Sequence, residues 1–323
     1  MPIRVPRARR SGRALSAAVC LALATGLIAT GCGSSGGSTA ATTTTVTVPV
    51  TVPALTAGQM YYVSLGDSYA AGYQPTSAKS GATTRNGFAY QVVTDAGLAG
   101  HHFVLANFGC GGATTTSILH DAGCPALGPG GPTYPGQSQA AGAEAFITAH
   151  RGHIGLVTVS IGGNDVTHCA KVKDAISCVA AAVKSIDANL GTLTRGVRAA
   201  AGPNVPIVGI TYPDVILGGY VSPSKAAQSL ATLSVTAFKQ FINPALKKQY
   251  EAVGGKFVDV TQATGAYLPL TAMATLAPYG RIPLAVARVC QLTYYCQFGD
   301  IHPKTAGYGV IARLVVAALP PHG

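Results

Sequence analysis

Short apolar runs alternate with longer stretches of helical composition through residues 59–320. Residues 61–65 (YYVSL), 103–107 (FVLAN), 154–161 (IGLVTVSI), 206–211 (PIVGIT) and 256–260 (KFVDV) read as strands. Their runs are nearly unbroken by polar residues, the pattern of strands buried on both faces rather than one. The gaps predict helices over 83–98, 138–150, 172–201, 222–253 and 305–319. Gly254-Gly255 marks the end of the fourth, and Pro244 is expected to break or kink it because proline lacks the donor that a helix interior requires. Five strand–helix units of this kind build a parallel sheet covered on both faces, in one domain.

In an open parallel sheet, ligands sit beyond the carboxyl ends of the strands. The segments that follow the first three strands are Gly66-Asp67-Ser68-Tyr69-Ala70, Gly109-Cys110-Gly111-Gly112-Ala113-Thr114 and Gly162-Gly163-Asn164-Asp165. A fourth cluster, Gly299-Asp300-Ile301-His302-Pro303, precedes the last predicted helix. These residue types match the needs of acyl transfer: a nucleophile on a sharp turn, a base, and donors for the oxyanion. Ser68 is the candidate nucleophile, and the N–H groups of the turn that carries it add to the donors. His302 is the candidate base, Gly112 offers an unobstructed backbone N–H, and Asn164 a side-chain amide. Each also has an ordinary role: glycine in a turn, Asn at a helix start, His-Pro before a helix.

The amino end is different in kind. Five arginines and no acid lie within residues 1–13, residues 14–28 are uncharged and mostly apolar, and Ala29-Thr30-Gly31-Cys32 follows. The order of basic front, apolar middle and small residues is that of an export signal over 1–31, and the apolar run is shorter than the ~20 residues a membrane-spanning helix requires. Two outcomes are open at its end: lipid attachment to Cys32, which would anchor the chain to the bacterial membrane, or plain secretion with Cys32 incidental. Residues 32–58 hold no charge and are rich in Thr, Gly, Ser, Val and Pro, the composition of a disordered tether with an end-to-end distance of roughly 28 Å. The folded domain is then 59–323.

Without the leader arginines, seventeen basic residues face eleven acidic ones, and the formal charge of the whole chain, +11, falls to a mild excess. The sequence has no Trp, and its bases are scattered without an interleaved aromatic stripe. A nucleic-acid partner is therefore not expected. Of the eight cysteines, Cys110, Cys124, Cys169, Cys178, Cys290 and Cys296 fall in the domain, an even set in an exported chain, and each neighbouring pair flanks one loop. Neighbour disulfides are expected. No Cys-x-x-Cys spacing occurs and the histidines are not grouped with the cysteines, so no metal is expected.

Taken together, LGDSYAAG, NFGCGGATT, SIGGNDV and DIHPKTAGY resemble the four ordered blocks of the GDSL/SGNH hydrolases, with Ser68, Gly112, Asn164 and His302 at the name-giving positions. The resemblance spans nearly all of 60–318. It implies a flavodoxin-like three-layer α/β/α sandwich with a central parallel sheet of about five strands, a serine esterase or lipase acting on an ester substrate, and no cofactor. It also implies an oxyanion hole made by the Ser68 and Gly112 N–H groups and the Asn164 amide. Secreted actinobacterial lipases and esterases of this type are similar in carrying three disulfides beside the active-site loops. One departure stands out: the family's last block reads Asp-x-x-His, whereas here Gly299 lies three residues before His302 and Asp300 only two. Either Asp300 reaches the imidazole or a backbone carbonyl near 299 does so instead.

Two further expectations complete the reading. Leu268, Leu270, Met273, Leu276 and Leu284 are candidates for an acyl pocket, with ordinary core packing as the alternative, and the expected state is a monomer. Besides esterase or lipase activity, the same fold could deacetylate a polysaccharide, transfer acyl groups, or bind at the cell surface without turnover. The leader reading is checked by mass spectrometry of the exported protein, which should begin at Cys32 with added lipid mass; an unmodified start would remove the anchor.

Overall fold

Five strands form the main sheet: β1 (Met60–Gly66), β2 (Phe103–Asn107), β3 (Ile154–Ser160), β4 (Ile207–Ile210) and β5 (Lys256–Val258). The computed structural model describes residues 51–321. The export signal, Cys32 and most of the tether lie outside the described residues. All strand pairs are parallel, and their order across the sheet is β2-β1-β3-β4-β5. After β1 the chain moves to one side for β2 and then crosses to the other for β3. The carboxyl ends of β1 and β3 thus flank a topological switch point, where a crevice opens.

Helices cover the two faces. On one, α1 (Phe88–Leu98) packs against α7 (Thr305–Ala317). On the other, α3 (Ala175–Ala201) packs against α2 (Gln139–Ala149) and α5 (Asn243–Glu251). This is the three-layer sandwich the alternating pattern predicts. The strands are buried because they are apolar on both faces, and Tyr62, Leu65, Leu156, Tyr250 and Tyr308 are among the largest side chains removed from water. Burying such a side chain contributes roughly 1.5–3 kcal/mol. The buried phenols keep partners: Tyr62 shares a hydrogen bond with Thr158 Oγ1 at 2.8 Å, and Tyr250 donates to the Val159 carbonyl at 3.1 Å.

Three departures from the pattern have local causes. The first predicted helix begins only at Phe88, because residues 73–83 form a hairpin, Tyr73–Ser77 with Ser80–Thr83. The third begins at Ala175, capped by the Asp174 side chain, which accepts from the Ser177 N–H. The fourth divides into α4 (Lys225–Ala237), a π-helical turn at Phe238–Ile242, and α5, whose first turn contains Pro244. The proline stands where its missing N–H costs least, and the wide turn before it absorbs the mismatch. A second small hairpin, Met273–Leu276 with Gly280–Pro283, leads into α6 (Leu284–Leu292). Among the described residues no helix is long and apolar enough to cross a membrane.

The disulfides join Cys110 to Cys124, Cys169 to Cys178, and Cys290 to Cys296. Each closes a loop of 14, 9 or 6 residues respectively.

Gly209, in the middle of β4, tests the packing most sharply. A Cβ there would stand 2.0 Å from the Tyr250 ring. Gly209→Ala should destabilise the domain by about 3 kcal/mol, the upper end for overpacking, and Tyr250→Leu should restore part of it; denaturant unfolding measures both.

Candidate active site

Ser68 opens a short helical turn, Ser68–Ala71, directly after β1. The turn is possible because Gly66 adopts φ +143°, where a Cβ would strike the Ser160 carbonyl at 2.1 Å. Gln139 holds Gly66 from the other side, accepting from its N–H at 2.7 Å and donating to its carbonyl at 3.0 Å. Asp67 then caps the turn: its Oδ1 accepts the Tyr69 N–H at 2.9 Å and its Oδ2 the Tyr212 hydroxyl at 2.6 Å. Burial pushes the Asp67 carboxyl up to about 6, with the Tyr212 and Tyr69 hydrogen bonds and the nearby His302 opposing the rise.

His302 approaches from the far end of the chain. Its Nε2 lies 2.8 Å from Ser68 Oγ and its Nδ1 2.7 Å from Asp300 Oδ1. The same Oδ1 accepts the backbone N–H of His302 at 2.9 Å. Two-residue spacing suits both bonds: an aspartate side chain readily closes a turn onto the N–H two residues on, which leaves its oxygen beside the ring. Gly299, with φ +68°, supplies the left-handed step before this turn. Of the two candidates, it is the Asp300 carboxylate that stands within hydrogen-bond distance of the imidazole here. Burial raises the Asp300 carboxyl, but the hydrogen bonds from the His302 ring and N–H and the imidazole's charge together hold it below its usual value. An ionised Asp300 accepts from Nδ1–H, which leaves Nε2 free to accept from the Ser68 hydroxyl.

The loop that contains His302 is held at several points. Tyr69 donates its hydroxyl to the Ile301 carbonyl at 2.5 Å, Gln74 donates to the Pro303 carbonyl at 3.4 Å, and the His302 carbonyl accepts from the Tyr294 N–H at 3.0 Å. The Tyr73 ring lies 4.5 Å from the imidazole, centroid to centroid.

Asn164 stands in the turn after β3 and lines the same cleft as Ser68. Its Nδ2 donates to the Ala113 carbonyl at 2.9 Å, so one amide proton is engaged and the second is available at the cleft. That bond also draws the second block's loop against the third. Asp165 reinforces it, accepting from the Thr115 N–H at 2.9 Å and the Thr115 hydroxyl at 2.5 Å. Gly112 adopts φ +82° next to Ala113, but it borders a neighbouring depression rather than the cleft itself. Among the described residues neither the Ser68 N–H nor the Gly112 N–H donates to a protein acceptor.

The cleft is open at its mouth, with a cavity volume of about 90 Å³. Its walls are Val166, Ile176 and Val179 on one side and Val215, Ile216, Leu230, Leu233, Phe238 and Ile242 on the other. The expectation that Leu268, Leu270, Met273, Leu276 and Leu284 line an acyl pocket is corrected. None of them borders the cleft, and Leu268, Leu270 and Leu276 pack instead in a second hydrophobic cluster around α6. For these three it is the ordinary-packing alternative that holds, since an apolar segment near a site looks the same in sequence whether it faces core or ligand. The expectation that the histidines stand apart from the cysteines is corrected at one place: His168, Cys169 and Cys178 come within 4.8 Å of one another, although both sulfurs are spent in a disulfide.

Tyr212, Asp214 and Ser234 were not singled out in the sequence. Tyr212 and Asp214 follow β4, so the strand-end rule that found the other clusters reaches them too. Asp214 is fully buried, accepts from the Ser234 hydroxyl at 2.8 Å and the Leu217 N–H at 3.3 Å, and ties the turn Val215–Val221 to α4. Burial pushes its carboxyl up to about 7, against those hydrogen bonds.

Comparison with known proteins addresses the fold and the family. The chain belongs to the GDSL-like lipase/acylhydrolase family, whose model matches residues 64–310. Comparison with curated protein sequences finds no match. Among solved structures, the extracellular lipase of Streptomyces rimosus is similar at 19% identity with a TM-score of 0.50, covering 80% of this chain and 99% of that one. A goat-rumen metagenome lipase follows at 15% identity and 0.48, covering 80% and 97%. The acetylxylan esterase Axe2 of Geobacillus stearothermophilus is similar at 16% and 0.45, covering 80% and 93%. At 19% identity the likeness to the Streptomyces rimosus lipase is one of fold.

The two raised carboxyls make a pH prediction. An unfolded aspartate titrates near ~3.9. Between about pH 4 and 7 the folded chain therefore holds protons on Asp67 and Asp214 that the unfolded chain has released, and their contribution to stability falls as pH rises through that window. Asp300, lowered in the fold, acts in the opposite sense and loses its contribution as pH falls through its folded value. Asp214→Asn should show a smaller drop in Tm from pH 5 to pH 8 than the parent; an equal drop would mean that Asp214 does not titrate there.

Proposed function

We propose that this protein is an exported serine hydrolase of carboxylic esters, with Ser68 as nucleophile, His302 as general base and Asp300 orienting the imidazole. The observation that carries the reading is the continuous line from Asp300 Oδ1 through His302 to Ser68 Oγ, with spacings of 2.7 and 2.8 Å, at the edge of an apolar cleft. His302 Nε2 takes the Ser68 proton as Oγ attacks the ester carbonyl. The Ser68 N–H and the Asn164 amide receive the developing oxyanion from the cleft, and the Gly112 N–H, in the loop that the Asn164–Ala113 hydrogen bond ties to Asn164, is the third donor from the neighbouring depression. The imidazolium returns its proton to the leaving alcohol. A water, deprotonated by the same His302, then cleaves the acyl-enzyme and regenerates Ser68.

The cleft supports a substrate with an extended acyl chain, because its walls are predominantly aliphatic and begin at Ser68. Deacetylation of a polysaccharide is the second reading, compatible with the fold shared with Axe2. An acetyl group, however, has no use for so long an apolar wall. The disulfides and the basic, then apolar, amino end support export, with Cys32 as the candidate lipid anchor.

A kinetic series with nitrophenyl esters from acetate to laurate, beside acetylated xylan, tests the reading. Ser68→Ala should lose at least ~10³-fold in kcat while staying folded, and Asp300→Asn at least ~10²-fold. Asn164→Ala should lose ~10²- to 10³-fold in kcat with little change in KM. Retained turnover in Ser68→Ala removes the nucleophile assignment, and a preference for acetylated xylan over the longer esters replaces the substrate class.

A further inference from the structure

We infer that the rim of the cleft is a docking surface for an anionic phospholipid bilayer, presenting the cleft mouth to lipid. Among the described residues large apolar side chains are exposed at only a few places, and four of them gather here: Val172 (44%), Ile176 (40%), Leu233 (38%) and Phe241 (40%). Ile176 and Leu233 themselves line the cleft. Val172 stands between the lining residues Ala170 and Ala175, and Phe241 immediately precedes the lining residue Ile242. The two walls thus end in apolar side chains that face water, a cost that contact with a hydrocarbon interface would relieve.

Charge selects the occupant. Lys171 and Lys173 flank Val172, and Lys239 lies two residues before Phe241; all three are exposed and none has a carboxylate within salt-bridge distance. The segments 168–184 and 225–248, which carry the four exposed apolar side chains, hold seven lysines against one carboxylate, Asp174, with Asp187 and Glu251 just beyond them. Lys247 and Lys248 have partners in Glu251 and Asp187, and Lys239 lies over the Tyr267 ring at 5.7 Å, which leaves Lys171, Lys173, Lys184 and Lys225 with neither a carboxylate nor a ring partner. Cations around an apolar rim suit a surface that is apolar within and negative at its headgroups. The inference rests on the proposal that the cleft accepts acyl chains, but its test needs no turnover.

The chain has no Trp, so one introduced Trp reports a single location. Phe241→Trp, made in the full-length Ser68→Ala chain, should shift its emission to the blue by several nanometres on adding phosphatidylglycerol vesicles, and much less with phosphatidylcholine. Leu98→Trp in the same background is the control, since Leu98 is 87% exposed at the end of α1, near the amino ends of the strands. It should not shift, even if the amino-terminal segment binds the vesicle. Adding Lys171→Gln and Lys173→Gln to the Phe241→Trp chain should weaken vesicle affinity at least ~5-fold, and raised salt should do likewise. No shift at 241, or an equal shift at 98, overturns the inference. Loss of esterase activity in the kinetic series with the shift intact would overturn only the catalytic reading.

Discussion

The hydrogen bond between His302 Nε2 and Ser68 Oγ joins residues 234 apart in sequence, and most of the architecture beyond the sheet bears on keeping it at 2.8 Å. Ser68 is placed by the β1–β3 pair: Asp67 N–H donates to the Ser160 carbonyl at 3.1 Å, and Gly66 cannot carry a side chain because β3 already occupies that space. His302 is placed by α7, whose Tyr308 is fully buried and donates its hydroxyl to the Tyr73 carbonyl at 2.8 Å. That carbonyl belongs to the hairpin that follows the Ser68 turn. The two halves of the pair are therefore referenced to the same small region, and errors in position do not accumulate over the intervening chain.

Buried polar groups do much of this positioning. Asp67, Tyr212, Gln139, Asn107 and Asp165 each make their bonds to loop backbone or to one another within the site's surroundings. Asn107, for example, donates to the Ala70 carbonyl at 2.8 Å and accepts the Gly109 N–H at 3.0 Å, joining the loops after β1 and β2. In a low-dielectric interior such bonds are directional and costly to leave unmade, so they define one loop arrangement where apolar contacts would tolerate several. The cost is visible in the raised carboxyls of Asp67 and Asp214, kept where water cannot reach them.

The cleft combines two physical demands. Charge developing on an attacked carbonyl requires fixed donors at its inner end, whereas a bound acyl chain requires only apolar area along its walls. On the proposed reading, the donors come from strand ends and glycine turns, which the sheet holds rigidly. The walls come from the start of α3, the turn after β4, and α4, elements further from the sheet that carry the exposed apolar and basic rim.

The sequence by itself determined the five strands, the covering helices, the order of the four site blocks and the place of the first three at strand ends. These are local properties: burial on both faces produces unbroken apolar runs, and a strand-to-helix turn needs glycine. It could not decide whether Asp300 reaches His302, because the answer depends on a left-handed Gly299 and on one carboxylate oxygen accepting both the ring and the backbone N–H. Nor could it say which apolar residues line the cleft. Leu270 and Leu233 are alike as residues, yet one packs against α6 and the other opens to the cleft. Only the packing of α4 against the turn after β4, tied through Asp214 and Ser234, distinguishes them, since a side chain's exposure to ligand or core is set by what stands opposite it in space.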